Sequence, residues 1–258
     1  MEENPFNLKN RVVLLTGGAG MYGRGLATAL AAAGATLVVA SRHAANCETV
    51  AAAGRARGYC VESESYDQGE EDSIRALLER LWARFGRVDG LVNNSVARTM
   101  TPTGSFRREC EQSMKVNATG LISMHHHFGA AMARQGGGSI VNIGSIQGLV
   151  GPEPALYRGT LMPTPTPDYF FHKGGMLNLT RYYATLLGEK GVRVNHLAAG
   201  GFFSGQPEVF VKRYAGKTAL GRMGDGNDLG GPVVFLLSEA ARYITGANLP
   251  VDGGYTSK

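Results

Sequence analysis

Three cysteines in 258 residues, Cys47, Cys60 and Cys110, are too few and too irregularly spaced for a disulfide framework, a redox pair or a cysteine metal site. A reducing, cytoplasmic setting is the default that follows. The chain also lacks a long apolar run: Leu26 to Ala40 falls short of a membrane span and is interrupted by Gly34. Met1-Glu2-Glu3-Asn4-Pro5 is acidic and has no apolar core, so it does not read as a secretory leader. Lysine and arginine form no block. The net charge of +5 is dispersed, which argues against a nucleic-acid partner and is met by a small polyanionic ligand. What is plentiful is glycine, 37 residues without a period of three, as expected where many strands and helices are joined by tight turns.

Arg11 to Leu15 is a short apolar run of the kind buried on both faces of a parallel sheet. It runs into Thr16-Gly17-Gly18-Ala19-Gly20-Met21-Tyr22-Gly23, after which Arg24 to Ala33 predicts a helix closed by Gly34 and Thr36 to Ala40 a second strand. Glycines at 18, 20 and 23 fit G-x-G-x-x-G between a strand and a helix, a turn that lets backbone N–H groups approach a pyrophosphate. The second strand ends in Ser41-Arg42-His43, with no carboxylate to hold ribose hydroxyls. A hydroxyl and a guanidinium there suit a 2′-phosphate, so NADP(H) is favoured over NAD(H).

Further alternation predicts a helix over 47–58, a strand over 59–66 ending at Asp67, and a helix over 72–85 that puts Trp82 in the core. A strand over 90–92 then leads to Asn94 and Ser95. The whole predicts one α/β domain over 1–258, a Rossmann-type, doubly wound parallel sheet with helices on both faces, its ligands gathering at the carboxyl ends of the strands. A long helix from Met114 to about Met132 carries Asn117, a poor mid-helix residue, and His125-His126-His127. Consecutive helical residues diverge, so those three rings cannot share a metal and are expected on the helix surface or at a subunit interface.

A fifth strand, 138–145, ends in Ser145; no Gly-x-Ser-x-Gly elbow surrounds it, which disfavours a hydrolase. Prolines at 152, 154, 163, 165 and 167 make 149–168 an irregular loop, expected beside the substrate. Tyr169 and Lys173 then stand four apart on a helix, so phenol and ammonium share a face, and a cation beside a phenol favours the phenolate. After a sixth strand, 191–197, a glycine-rich loop containing Gly200, Phe202 and Ser204 opens a lid candidate over 201–218, followed by a helix over 228–237 and a closing strand over 246–251.

Across nearly its whole length the chain resembles the short-chain dehydrogenase/reductase (SDR) family. The resemblance is carried by Thr16 to Gly23, Asp67, Leu91-Val92-Asn93-Asn94, Val116-Asn117, Ser145, Tyr169 with Lys173, Val194-Asn195 and Val251-Asp252-Gly253-Gly254. It implies NAD(P)-dependent interconversion of a carbonyl and a secondary alcohol, with Asn117, Ser145, Tyr169 and Lys173 as the catalytic set. Tyr169 would be the acid or base, Ser145 would hold the substrate oxygen, Lys173 would tune the phenol and bind the ribose, and Asn117 would anchor a relay water. The cofactor-binding residues implied are Gly17, Gly20, Met21, Tyr22, Gly23, Ser41, Arg42, Asp67, Gln68, Asn94, Ser95, Tyr169, Lys173, Gly200, Phe202 and Ser204, with no metal and a homotetramer or homodimer. The sequence departs from the family pattern at Met21, at Ala199-Gly200, and in the interval from Ser145 to Tyr169. Tyr157 stands at the usual interval, but Leu161 follows it where lysine is needed, so Tyr157 is rejected. Segments 94–98 and 201–207 resemble members acting on sugar acids or surface-glycan sugar precursors, gluconate 5-dehydrogenase among them, and Arg98, Arg158 and His172 are candidates for meeting an anionic polyol. An NADP(H)-binding sensor or scaffold without turnover and a nucleotide-sugar epimerase are the alternatives; the epimerase would need a C-terminal substrate domain that is not present.

Overall fold

In a computed structural model, which describes residues 4–101 and 104–257, seven strands form one sheet in the order β3-β2-β1-β4-β5-β6-β7, every neighbouring pair parallel. The strands are β1 (Val12–Thr16), β2 (Thr36–Ser41), β3 (Val61–Ser65), β4 (Gly90–Asn93), β5 (Gly138–Ile143), β6 (Val192–Ala199) and β7 (Asn248–Val251). The acidic Met1-Glu2-Glu3 lies outside the described residues.

Strand side chains alternate between two faces, and both faces here are apolar. Val13, Leu15, Leu37, Val39 and Val141 point to one core, shared with α1 (Met21–Ala32), α2 (Ala44–Arg55) and α8 (Gly230–Leu237). Leu14, Val38, Leu91, Ile140 and Val194 point to the other, shared with α3 (Glu71–Phe85), α5 (Leu121–Arg134) and α6 (Pro167–Leu187). The edges are protected. On β3, Glu62 and Glu64 pair with Arg84 and Arg80, and β7 carries Pro250.

Three expectations change. Trp82 is only half-buried and belongs to neither core, because Ile74, Leu77 and Leu81 form the inner stripe of α3. The long helix is continuous but not α throughout: α4 (Phe106–Met114) passes through a π-helical turn, Lys115–Gly120, into α5. His125 is 0% exposed instead of lying on the surface; its Nδ1–H donates to Leu121 O, Nε2 accepts from Asn142, and the ring stacks on Tyr183. Burial pushes its pKa down to about 4, so it is neutral. His126 is exposed and His127 meets Glu71 at 2.9 Å. Among the described residues no group of three or more His, Cys, Asp or Glu is placed to hold a metal, and no helix is long and apolar enough to cross a membrane.

Candidate active site

The carboxyl ends of β1 to β5 open on a cavity of about 410 Å³. Its walls run from Ser41, Arg42, His43 and Asp67 at one end, past Gly17, Gly20, Met21, Tyr22, Asn94 and Ser95, to Arg98, Tyr169 and Lys173 at the other. Such a crevice at the strand ends is where a doubly wound sheet binds its ligand.

The glycine turn is built so that the backbone comes close. Gly17 has φ +62°, and a Cβ there would stand 3.0 Å from Ser95 Cα. A Cβ on Gly23 would meet Gly17 O at 2.4 Å, so only glycine lets α1 fold back on the turn. Gly20 caps α1 with no side-chain acceptor, which leaves the first-turn N–H groups free for an anion. Asn94 fixes the arrangement: its Nδ2 donates to Thr16 O at 3.1 Å and Gly17 O at 3.0 Å, and its N–H donates to Thr16 Oγ1. These features fit the pyrophosphate of a dinucleotide, and Met21, half exposed at the first position of α1, stands on the cavity wall.

Ser41, Arg42, Asp67 and Gln68, expected at the cofactor, line the cavity, and three of them are also bonded within the protein. Ser41 Oγ lies 3.0 Å from Cys47 Sγ and accepts from His43 N–H, while Arg42 is exposed on the cavity wall. Asp67 accepts from Gly69 N–H. Gln68 is buried, donates to Val116 O and accepts from Tyr66 O–H, so its amide braces the π-helical turn. Gly200, Phe202 and Ser204 are not among the cavity walls: Phe202 is 3% exposed and packs edge-on against Tyr22 at 4.7 Å.

Tyr169 sits in the first turn of α6, just after Pro167 at the position where proline's missing N–H costs nothing. Lys173 Nζ is 5.7 Å from the ring centroid of Tyr169, and Arg98 Cζ lies over the same ring at 4.7 Å. The ammonium is 5% exposed and donates to Ile143 O at 2.7 Å. Burial first, and the positive charge of Arg98 second, push its pKa down to about 8. Ser145 follows β5 two residues on. A Cβ on Gly148, in the 3₁₀ turn Ile146–Gly148, would stand 2.5 Å from Lys173 O, so the turn holding Ser145 is pressed against α6. Ser145 Oγ accepts from Gln147 N–H and keeps its own proton to donate.

Asn117 lies in the π-helical turn with its amide fully used. Oδ1 accepts from Ala97 N–H at 2.8 Å, and Nδ2 donates to Ala97 O and Ser113 Oγ. Ser113 in turn donates to Asp168 at 2.5 Å and meets His172 Nε2 at 2.9 Å, all of them buried. This network was not read from the sequence, although Ser113 stands four residues before Asn117, and Asp168 and His172 repeat the spacing of Tyr169 and Lys173. His172 therefore does not reach the cavity, Arg158 is turned to α7 (Glu208–Ala215) through its carbonyl, and of the three candidate anion contacts only Arg98 lines it. The loop 149–168 does not line the cavity either. Leu156 and Tyr157 pack on Phe210 and Tyr214, and the loop shares a separate cavity of about 1030 Å³ with α7. Burial raises the pKa of Tyr157, against a proton-carrying role.

Known proteins resemble this chain over nearly its whole length. A family model described as enoyl-(acyl carrier protein) reductase matches residues 19–256. The cis-4-hydroxycyclohexanecarboxylate dehydrogenase of Sinomonas cyclohexanicum is 33% identical over 96% of this chain and 97% of that protein. The gluconate 5-dehydrogenase of Gluconobacter oxydans is 30% identical over 97% and 96%. A crystal structure of a gluconate 5-dehydrogenase from Burkholderia cenocepacia, in complex with NADP and tartrate, superposes with a TM-score of 0.87 at 29% identity over 98% of each chain. The chain belongs to the short-chain dehydrogenase/reductase family and is an NAD(P)-dependent oxidoreductase acting on a secondary alcohol or its carbonyl.

Proposed function

We propose that this oxidoreductase uses NADP(H), with Tyr169 as the group that gives a proton to, or takes one from, the substrate oxygen. The observation that carries the reading is the placing of Tyr169 beside two cations, Lys173 and Arg98, at the end of the cavity whose other walls are the glycine turn and Arg42. Bound NADP(H) supplies or accepts the hydride. Ser145, whose oxygen is occupied by Gln147 N–H, donates its proton to the substrate oxygen. Lys173 spends one of its three N–H donors on Ile143 O and would offer the other two to the ribose of the cofactor. Asn117 has no amide donor left and works by position, holding Ala97 and with it the wall that carries Arg98.

The preference for NADP(H) rests on Arg42. It is exposed on the cavity wall, has no acidic partner among the described residues, and follows a strand whose end carries no carboxylate. Exposed Phe106, Ile122, Phe171, Tyr182 and Leu186 on α4, α5 and α6 support self-association as a dimer or tetramer, which sedimentation would measure. Three free cysteines support a reducing, cytoplasmic setting.

The test is NADPH consumption followed at 340 nm with a panel of keto acids, keto sugars and β-ketoacyl thioesters. Tyr169→Phe is expected to lower kcat by about two to four decades while the NADPH Kd holds within about threefold. A variant with undiminished kcat removes Tyr169 from the mechanism.

A further inference from the structure

Eight of the nineteen arginines meet a carboxylate among the described residues. Arg11 pairs with Glu239, Arg80 with Glu64, Arg84 with Glu62, Arg107 with Glu111 and Arg222 with Asp228. Arg98 has no acidic partner among the described residues, and its guanidinium lies on the face of Tyr169. Stacking uses the flat face of a guanidinium and leaves the N–H donors along its edge unspent. Its backbone is fixed as well, because Asn117 binds both the N–H and the carbonyl of the preceding Ala97. Among the described residues the only carboxylate on the cavity wall is Asp67, at the end remote from Tyr169; Asp168 is turned away to Ser113. The Tyr169 end therefore holds two cations and no anion.

Resting on the oxidoreductase reading above, we propose that Arg98 is the specificity-determining residue of this site. It takes the carboxylate of a hydroxy-acid or oxo-acid substrate whose reacting carbon lies at the Tyr169 hydroxyl. The reach is short. The guanidinium carbon is 4.7 Å from the ring, and each hydrogen bond adds about 2.8 Å, so the acid is compact, with its carboxylate a few bonds from the reacting carbon. A neutral analogue entering the same site would dry the guanidinium without giving it a partner, and the site discriminates against it on that ground.

Anionic oxygens reach this cavity from two sources, the substrate and the cofactor phosphates, and the experiment separates them. Arg98→Gln and Arg98→Lys are compared with the unaltered protein in three measurements: the NADPH Kd by fluorescence, kcat/KM for 4-oxocyclohexanecarboxylate and 5-ketogluconate against their methyl esters, and binding of tartrate to the NADPH-loaded protein by calorimetry. The unaltered protein is expected to favour acid over ester by about 30- to 300-fold, as a charge-assisted bidentate pair allows. Arg98→Gln is expected to erase that ratio and tartrate binding together, Arg98→Lys to recover part of both, and the NADPH Kd to move less than about threefold. Equal losses for acid and ester would overturn the proposal, as would a loss confined to NADPH, which would assign Arg98 to a cofactor phosphate. If no carbonyl compound is reduced, the oxidoreductase reading is what fails. The tartrate titration then still decides Arg98: binding lost in Arg98→Gln upholds the anion site, and no binding to the unaltered protein refutes it.

Discussion

Replacing Lys173 with methionine separates what the ammonium costs the fold from what it gives the reaction. Burial and the charge of Arg98 pull its pKa from 10.5 to about 8, and at about 1.4 kcal/mol per unit the charged form costs the native state about 3 kcal/mol near pH 7. Methionine fills a similar volume and removes that cost, but it also strips Ile143 O of its donor, a loss of about 1–3 kcal/mol. The variant is therefore expected to be as stable as the unaltered protein at pH 7, or more stable by up to about 2 kcal/mol. The sign with pH follows from proton linkage. Between pH 8 and 10.5 the native lysine has lost its proton while the unfolded one keeps it, so the unaltered protein gains stability as pH rises and the variant does not. The variant's advantage is fully present below pH 8 and shrinks by about 1.4 kcal/mol per pH unit above it. Urea unfolding of both proteins without cofactor, from pH 6 to 10, measures the difference. The buried tyrosines titrate alike in both and cancel. Turnover of NADPH by the variant is expected to fall by at least about two decades. A stability difference that does not change with pH would show that Lys173 is not a charge held out of water, and the argument about its environment would fall.

Two buried neutral histidines make the fold acid-sensitive. Burial pushes His125 and His196 down to about 4, so the stability they contribute is complete above pH 6.5 and is lost as pH falls from there toward 4, with a combined slope of about 3 kcal/mol per pH unit. A urea midpoint unchanged between pH 6.5 and 4.5 would refute this. His196 also dictates its neighbour: a Cβ on Gly144 would lie 1.8 Å from His196 Nε2. Gly144→Ala is expected to cost about 2–4 kcal/mol, most of it recovered when His196→Ala is added, and thermal melting of the double-mutant cycle measures the coupling. Arg42→Ala should raise the KM for NADPH about 10- to 100-fold and leave that for NADH within about threefold; equal changes for both would remove Arg42 from 2′-phosphate recognition.

What could be read from the sequence was what depends on local spacing. The apolar runs of β1, β4 and β5, the glycines of 17–23 and the four-residue step from Tyr169 to Lys173 each follow from a backbone period or a turn, and each lies where that period puts it. What could not be read depends on partners far along the chain. Helix 114–132 widens into a π-helical turn where Gly120 backs onto Gln68, a Cβ there standing 2.0 Å from the Gln68 carbonyl, and where Gln68 takes Val116 O as an acceptor. His125 is buried while its two neighbours are not, because Asn142 and Tyr183 lie on the inner side of α5. Trp82 failed as a core residue for the same reason in reverse: it is apolar and at helical spacing, but the stripe was already filled by Ile74, Leu77 and Leu81.

The same distinction divides the residues of the site. Asn94, Gln68 and Asn117 belong to the motifs that carry the family resemblance or lie next to them, yet the hydrogen bonds of their side chains end on backbone atoms or on other side chains of the protein, and they shape the cavity by fixing its walls. Tyr169, Lys173, Arg42 and Arg98 keep donors or charge turned toward the cavity. The two groups meet at Ala97, which Asn117 grips by both backbone groups and which positions Arg98 over Tyr169. Loss of the Asn117 amide therefore acts on the reaction through the wall: it frees the segment that carries one of the two cations beside the phenol, so in Asn117→Ala the discrimination between acid and ester should decline along with the rate, whereas a residue serving only proton transfer would lower both substrates alike.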